Sequence, residues 1–438
     1  MRVERRGSVI WNFYVGQPIK WEESINKRKP YEISHHQVIE AFKLVRANKG
    51  CPGIDDKTIE EFEADLKNNL YKLWNRMSSG SYFPKPVKGV EISKKSGGVR
   101  LLGVPTVRDR IAQMVARLNL EPLLEPIFYD DSYGYRPNKS AIEAIRVTRK
   151  RCWKYDWLIE FDIKGLFDNI DHELLMKAVR KHTGNKWVIL YIERWLKAPM
   201  QMPDGTIKER FSGTPQGSVI SPILANLFMH YAFDRWMETK NPKNPWARYA
   251  DDGVVHCRIK EEAVHVLKKL TERLRECKLE LHPEKTAIIY CRDVNRKEKH
   301  KNTSFDFLGY TFRTRVARKR NGQYFACFSP AVSKKACKLF REKIRDIRKG
   351  STHKSLEQIA SEMNPVMRGW ANYFGCFRPS EMKNELGKVN LALVCWAIRK
   401  YKGLKRHKAK TLDWLGKCAK TRPDLFYHWQ MGLRPAAG

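Results

Sequence analysis

The chain lacks the marks of several common protein classes. None of its apolar runs approaches the roughly 18 to 20 residues that a membrane-spanning helix needs. The best N-terminal apolar stretch, Ser8 to Val15, is interrupted by Asn12 and leads into no small-residue cleavage site, which argues against a secretory signal and for a cytoplasmic protein. The 10 cysteines are scattered from Cys51 to Cys418 without a C-x-x-C pair or a Cys/His ligand spacing, so neither a zinc site nor a disulfide framework is expected. Internal repeats and low-complexity tracts are missing, which excludes a solenoid. Acidic residues are scarce: 48 Asp plus Glu stand against 84 Lys plus Arg, a formal charge of +36.

An excess of that size points to a polyanionic partner, and of the two usual ones, nucleic acid and an anionic membrane surface, the membrane has left no mark. Hydrophobic residues at 42%, with 11% aromatic, are enough to bury real cores, and 438 residues allow two to four modules. The charge is unevenly spread, since residues 313–422 hold 28 Lys plus Arg against 7 Asp plus Glu, a net of +21. Tyr324, Phe325, Trp370, Tyr373, Phe374, Trp396, Tyr401 and Trp414 are interleaved with those basic residues. Two readings fit them: bases stack on the rings while the cations meet phosphates, or the rings form helix cores beneath a solvated basic face.

Along the chain, residues 34–79 read as helices around the turn-rich Lys49 to Asp55, and Val87–Ile92 with Val99–Leu102 read as a hairpin across Lys94 to Gly98. Helix is expected over 107–128, strand over 156–163 and helices to about 198. Phe211–Gly217 leads into a helix with Pro222 in its first turn and an apolar face at Leu224, Leu227, Phe228 and Tyr231. Arg248–Cys257 reads as two strands joined at Asp251-Asp252-Gly253, and from about residue 329 helical periodicity dominates. The pattern is α+β, with antiparallel pairs packed by helices.

Tyr249-Ala250-Asp251-Asp252 sets two adjacent carboxylates in a turn between apolar strands. Neighbouring acids repel unless a cation neutralises them; a solvated turn is the bland alternative. Asp162 ends the run Trp157-Leu158-Ile159-Glu160-Phe161, and an acid among apolar neighbours needs a partner. Carboxylate oxygens without His or Cys select a hard ion such as Mg²⁺ or Mn²⁺ over zinc. Three acids converging at one sheet edge make a two-metal site suited to phosphoryl transfer.

The ordered set Asp162-x-x-x-x-Phe167-Asp168, Gly213-Thr214-Pro215-Gln216-Gly217, Tyr249-Ala250-Asp251-Asp252, His282-Pro283-Glu284-Lys285-Thr286 and Phe307-Leu308-Gly309-Tyr310 resembles the palm and fingers of a reverse transcriptase. More narrowly it resembles the group II intron-encoded reverse transcriptase/maturase family. Gly50-Cys51-Pro52-Gly53-Ile54-Asp55, Ser132-Tyr133-Gly134-Tyr135-Arg136-Pro137 and Gly369-Trp370-Ala371-Asn372-Tyr373-Phe374 fit the same family. Ser218 and Asp56 stand where that family often has glycine, and neither change removes a ligand.

The resemblance implies a right-hand polymerase fold: an N-terminal extension (1–34), fingers and palm (35–312), a junction (313–330), a helical thumb/maturase domain (331–400) and a basic C-terminal segment (401–438) that binds RNA or DNA. It implies that Asp162, Asp251, Asp252 and the Ile163 backbone hold two Mg²⁺ ions, which Mn²⁺ can replace, with Lys285 as the proton donor to the leaving pyrophosphate. Lys88, Lys94, Arg100, Phe167, Gln216, Tyr249 and Ala250 are assigned to the incoming deoxynucleotide, Phe167 as the gate against a ribose 2′-hydroxyl. Phe307, Leu308, Gly309 and Tyr310 are assigned to the primer grip. The implied partners are group II intron RNA, an RNA template with a DNA primer, target DNA and dNTPs, with no membrane; monomer and homodimer both stay open. The implied function is an RNA-directed DNA polymerase that also promotes splicing of its parent intron and copies it during retrohoming by target-primed reverse transcription. A domesticated relative in phage defence, DNA repair or spacer acquisition is the alternative. No Cys pairs or His-Asn-His pattern follow Phe374, so the DNA endonuclease domain of many relatives is not expected.

Overall fold

The computed structural model describes residues 29–93, 99–319 and 321–435. The fold is α+β, and the chain divides into two compact units. The N-terminal unit takes in Ile159–Ala287 together with the described residues before Ala141; the C-terminal unit takes in Ala141–Leu158 and the described residues from Ile288 on. Among the described residues no helix is long and apolar enough to cross a membrane.

In the N-terminal unit, β1 (Val87–Ser93) and β2 (Val99–Val104) pair antiparallel, from Lys88 opposite Val104 to Ser93 opposite Val99. After β3 (Trp157–Asp162) come two short strands, β4 (Met200–Gln201) and β5 (Ile207–Lys208). The first sheet has the order β2-β1-β4-β5, with β4 running parallel to β1. Then β6 (Trp246–Tyr249) and β7 (Asp252–Cys257) lie beside β3 in a second sheet, in the order β6-β7-β3, and β8 (Ala287–Tyr290) leads from this unit into the other. The strand β3 reads almost continuously apolar because it is covered on both faces; Leu158, Ile159, Phe161 and Asp162 are all buried.

Two helices of this unit are deeply buried. Val107–Leu124 starts at Thr106, whose hydroxyl accepts from the Asp109 N–H, and buries residues all round its axis. Ser221–Met229 begins with Pro222 in its first turn, where a missing N–H costs nothing, and buries every residue but that proline. It runs on through a π-turn, His230–Asp234, into the helix Arg235–Lys240.

In the C-terminal unit, β9 (Ser304–Phe307), β10 (Tyr310–Arg318) and β11 (Tyr324–Val332) form an antiparallel sheet of order β11-β10-β9. The helices from Lys334–Arg348 to Tyr427–Gln430 share one core, in which Phe340, Met363, Leu393, Leu415, Phe426 and Trp429 meet. Its longest helix, Leu356–Phe374, opens on a capping box between Ser355 and Gln358. Trp396 is buried, with its indole N–H donated to the Ser351 carbonyl at 3.0 Å, and Trp370, Phe374, Tyr401 and Trp414 pack against the same core. The core reading therefore holds for these rings, and Tyr324, 73% exposed at the start of β11 with the Arg318 guanidinium over its ring, is the one of the eight that is mostly exposed. The cations stay on the outside: Lys334–Arg348 buries only Phe340 and Ile344.

Candidate active site

The three acids arrive at one place by strand adjacency. Asp162 is the last residue of β3 and Asp252 the first of its neighbour β7, while Asp251 lies in the two-residue turn that joins β6 to β7. Sequence spacing centred the turn on Asp251-Asp252-Gly253; the register pairs Tyr249 with Asp252, so the turn is Ala250-Asp251. Ala250 takes φ +59°, a region that a side chain disfavours; Gly134 makes room beside it, and Gly253 makes room for the Phe161 ring. A Cβ on Gly134 would stand 2.6 Å from the Ala250 nitrogen, and one on Gly253 would stand 2.3 Å from the Phe161 ring. The Ile163 N–H donates to the Asp251 carbonyl at 3.2 Å, and the His282 N–H to the Asp162 carbonyl at 2.8 Å.

The electrostatics are those of an under-neutralised cluster. Burial, the charge of Asp251 and a side-chain hydrogen bond with Asp162 push the Asp252 carboxyl up to about 8. Burial, then the charge of Asp162, also raises Asp251, while Arg100 and Lys285 pull it the other way. Lys285 extends its Nζ to Asp162 Oδ2 at 2.8 Å; burial opposes its charge, but the hydrogen bond and the three carboxylates prevail and hold its pKa above the usual lysine value. Among the described residues no three His, Cys, Asp or Glu side chains are gathered tightly enough to clasp an ion as they stand. The donor set nevertheless fits a hard divalent cation: all oxygen, crowded, and carrying a carboxyl whose pKa burial and its neighbours raise.

A second group of predicted residues collects beside the acids. The Gly213–Gly217 loop is laid on the segment after β3, with Gly213 donating to the Ile170 carbonyl at 2.7 Å and Thr214 to the Phe167 carbonyl at 2.6 Å. Its other side meets β2 through the Gly103 N–H and the Gln216 carbonyl at 2.8 Å. Gln216 Oε1 thereby accepts from Arg100 Nε, while its Nε2 reaches the Asp168 carboxylate at 3.2 and 3.3 Å. Phe167 is only 7% exposed and lies edge-on beneath Tyr135, which also tilts against Tyr249. Lys88 is engaged elsewhere, 2.7 Å from Asp56 Oδ1, and Lys94 lies outside the described residues.

Comparison with known proteins identifies the family. Residues 92–312 match the family described as reverse transcriptase (RNA-dependent DNA polymerase), and residues 337–414 match the group II intron, maturase-specific domain. The chain belongs to the group II intron reverse transcriptase/maturase family. Protein YkfC of Escherichia coli K12 is 30% identical over 321 residues, 64% of this chain and 80% of YkfC. The group II intron-encoded protein LtrA of Lactococcus lactis subsp. cremoris is 35% identical over 193 residues, 43% of this chain but 32% of LtrA. The putative COX1/OXI3 intron 1 protein of Saccharomyces cerevisiae is 35% identical over 200 residues, 45% of this chain and 24% of that protein.

The remaining predicted residues of this family member, Phe307 to Tyr310, belong to the C-terminal unit. They form the tight turn from β9 to β10, with Leu308 at φ +50° and Gly309 at φ +83°. Phe307 and Tyr310 are buried, so the turn presents Leu308 and Gly309 outward. Tyr310 donates its hydroxyl to the Tyr373 carbonyl, and Tyr373 returns one to the Leu308 carbonyl at 2.8 Å. Sequence reasoning missed Tyr135 and Arg248. The signal for Arg248 was an arginine inside the apolar strand Trp246-Ala247-Arg248-Tyr249, since arginine is almost never fully buried without a partner.

Proposed function

We propose that the chain is an RNA-directed DNA polymerase whose centre is built on Asp162, Asp251 and Asp252, and that its basic C-terminal unit binds the parent intron RNA. The observation that carries the first half is the meeting of a β3 terminus with the β6–β7 turn, which brings three acids together where burial first, and the neighbouring acids second, push the Asp252 carboxyl up to about 8. These three side chains, with the Ile163 main chain, would hold Mg²⁺. Bound Mg²⁺ supplies charge neutralisation at the triphosphate and acidifies the primer 3′-hydroxyl.

The protein's own groups do the rest. Arg100 and Lys94 grip the triphosphate. Gln216, its amide oriented by Arg100 on one side and Asp168 on the other, meets the incoming nucleotide. The Phe167 and Tyr135 rings close the space where a 2′-hydroxyl would sit. Lys285 releases Asp162 and delivers a proton from Nζ to the departing pyrophosphate. The Leu308-Gly309 turn serves as the primer grip.

Support for the second half is the net charge of +21 over residues 313–422 together with the maturase-domain match. The chain then copies the intron RNA into DNA by target-primed reverse transcription. The test is Asp251→Asn with Asp252→Asn, assayed for primer extension, splicing and the identity of the co-purified RNA. DNA synthesis is expected to vanish while intron RNA stays bound and spliced. Loss of splicing at normal stability contradicts this division of labour, and co-purified RNA that contains no intron removes the maturase half.

A further inference from the structure

We propose that Arg248 is a positioning residue for nucleotide addition: its buried guanidinium, locked by Asp234, grips the Ala250 carbonyl and so fixes the turn that carries Asp251 and Asp252. The inference rests on the reading of that turn as the polymerase centre.

Arg248 and Asp234 are both 0% exposed at their side chains. Arg248 Nε meets Asp234 Oδ1 at 2.7 Å, and Nη2 meets Asp234 Oδ2 at 2.7 Å and the Ser132 hydroxyl at 2.8 Å. The remaining nitrogen, Nη1, donates to Asn226 Oδ1 at 3.3 Å and to the Ala250 carbonyl at 3.0 Å. A buried ion pair is weak as a source of stability, because an apolar pair of similar volume often does as well. What an apolar pair cannot do is hold a carbonyl. The carbonyl held belongs to the one residue of the turn with φ in the left-handed region, +59°, a conformation that persists only where its surroundings over-determine it.

The helix that supplies the partners is shaped for this task. Asn226 and Asp234 are eight residues apart, and in an uninterrupted α-helix they would point about 80° away from each other. The π-turn His230–Asp234 absorbs one residue, so the spacing behaves as about seven, or two turns, and both side chains face one guanidinium. Such a turn is tolerated rather than favoured, and here it delivers two of the four groups around Arg248. The clamp closes from the other side as well. Asn226 Nδ2 donates to the Gly134 carbonyl at 2.6 Å, and Gly134 is the residue packed on the Ala250 nitrogen.

A role in stability alone and a role in positioning part company in the double variant Asp234→Leu with Arg248→Met, which fills the space with apolar side chains. Single-nucleotide addition on a primed RNA template, the KM for dNTP, primer–template affinity and Tm are measured against the wild type. Tm is expected near the wild-type value, with kcat down about 100-fold, the scale of an ångström-sized misplacement. KM and primer–template affinity are expected to stay within about threefold. A stable double variant with kcat within about threefold of wild type overturns the proposal, as does a parallel collapse of kcat and primer–template affinity. If the double variant does not fold, Arg248→Lys decides: it keeps the charge against Asp234 but lacks the fork that also reaches Ala250, so kcat falls at least about 20-fold with KM held. A kcat near wild type in that variant overturns the proposal equally. Wild-type protein that adds no nucleotide counts against the polymerase reading itself, a different result from all of these.

Discussion

Replacing Gly134 with alanine tests how tightly the Ala250-Asp251 turn is confined. The new Cβ would stand 2.6 Å from the Ala250 nitrogen, 3.1 Å from the Tyr249 carbonyl carbon and 3.3 Å from the Ala250 Cα. Ordinary contact begins near 3.4 Å, so the nearest atom must retreat by about 0.8 Å, and because it is backbone no side-chain rotation can relieve the clash. Asp251 is the next residue, and it moves with the turn. Overpacking of this kind costs about 1–3 kcal/mol of stability, and a shift approaching 1 Å at a reacting centre costs about 10²-fold in rate. The expected result is a protein that still folds, with Tm a few degrees lower and single-nucleotide kcat reduced by about 30- to 100-fold. Stopped-flow or quench-flow extension by one nucleotide reads kcat directly, and differential scanning calorimetry supplies the stability control. A kcat within threefold of wild type, at unchanged Tm, would show that the turn is not held where the packing of Gly134 requires.

Phe167→Ala is expected to raise ribonucleotide incorporation relative to deoxyribonucleotide at least about tenfold in single-turnover assays, with some loss of Tm because the ring is largely buried; unchanged sugar selectivity removes the gate assignment. RNA affinity is expected to fall about 10³-fold or more between ~50 and ~200 mM salt, since a net +21 over residues 313–422 implies many phosphate contacts. A flat response counts against the C-terminal unit as the RNA-binding surface. His230 is held down to about 4, first by burial and then by the charges of His182, Arg248, Arg235 and Lys181. It is neutral in the fold and titrates near 6.5 when unfolded, so its contribution is complete above about pH 6.5 and is lost as pH falls from there towards 4, on the order of 3 kcal/mol in all. Urea unfolding of wild type and His230→Gln across that window checks it: the variant is expected to lose less stability on acidification, and identical slopes refute the assignment.

Much of the fold was legible because its signals are local. The β1–β2 hairpin followed from Val87–Ile92 and Val99–Leu102 around a basic, glycine-containing tip, and the helix after the Gly213–Gly217 loop followed from Pro222 and its apolar face. The chemistry-bearing acids were legible as residue types in apolar surroundings. Their meeting was expected only through the family resemblance, because it depends on β3 lying beside β7, a pairing between segments about 90 residues apart. The turn was placed one to two residues too late for a related reason. A non-glycine φ of +59° is imposed by Gly134 packing and by the Arg248 hydrogen bond, and no local propensity announces it. Strands of two residues, such as β4 and β5, carry too little alternation to be seen. The C-terminal aromatics were ambiguous because interleaved rings and cations describe a helix with one buried face as well as they describe a stacking surface; Trp396 and Trp414 took the first role, and Tyr324 is exposed.

Single-nucleotide extension of a DNA primer on an RNA template, with purified protein, Mg²⁺ and all four deoxynucleotides, tests the assignment of the three acids most directly. Wild-type protein is expected to extend the primer, and Asp162→Asn, Asp251→Asn and Asp252→Asn each to reduce extension by at least about 10³-fold while remaining folded. A folded wild type that adds nothing, or aspartate variants that extend as well as wild type, would contradict it.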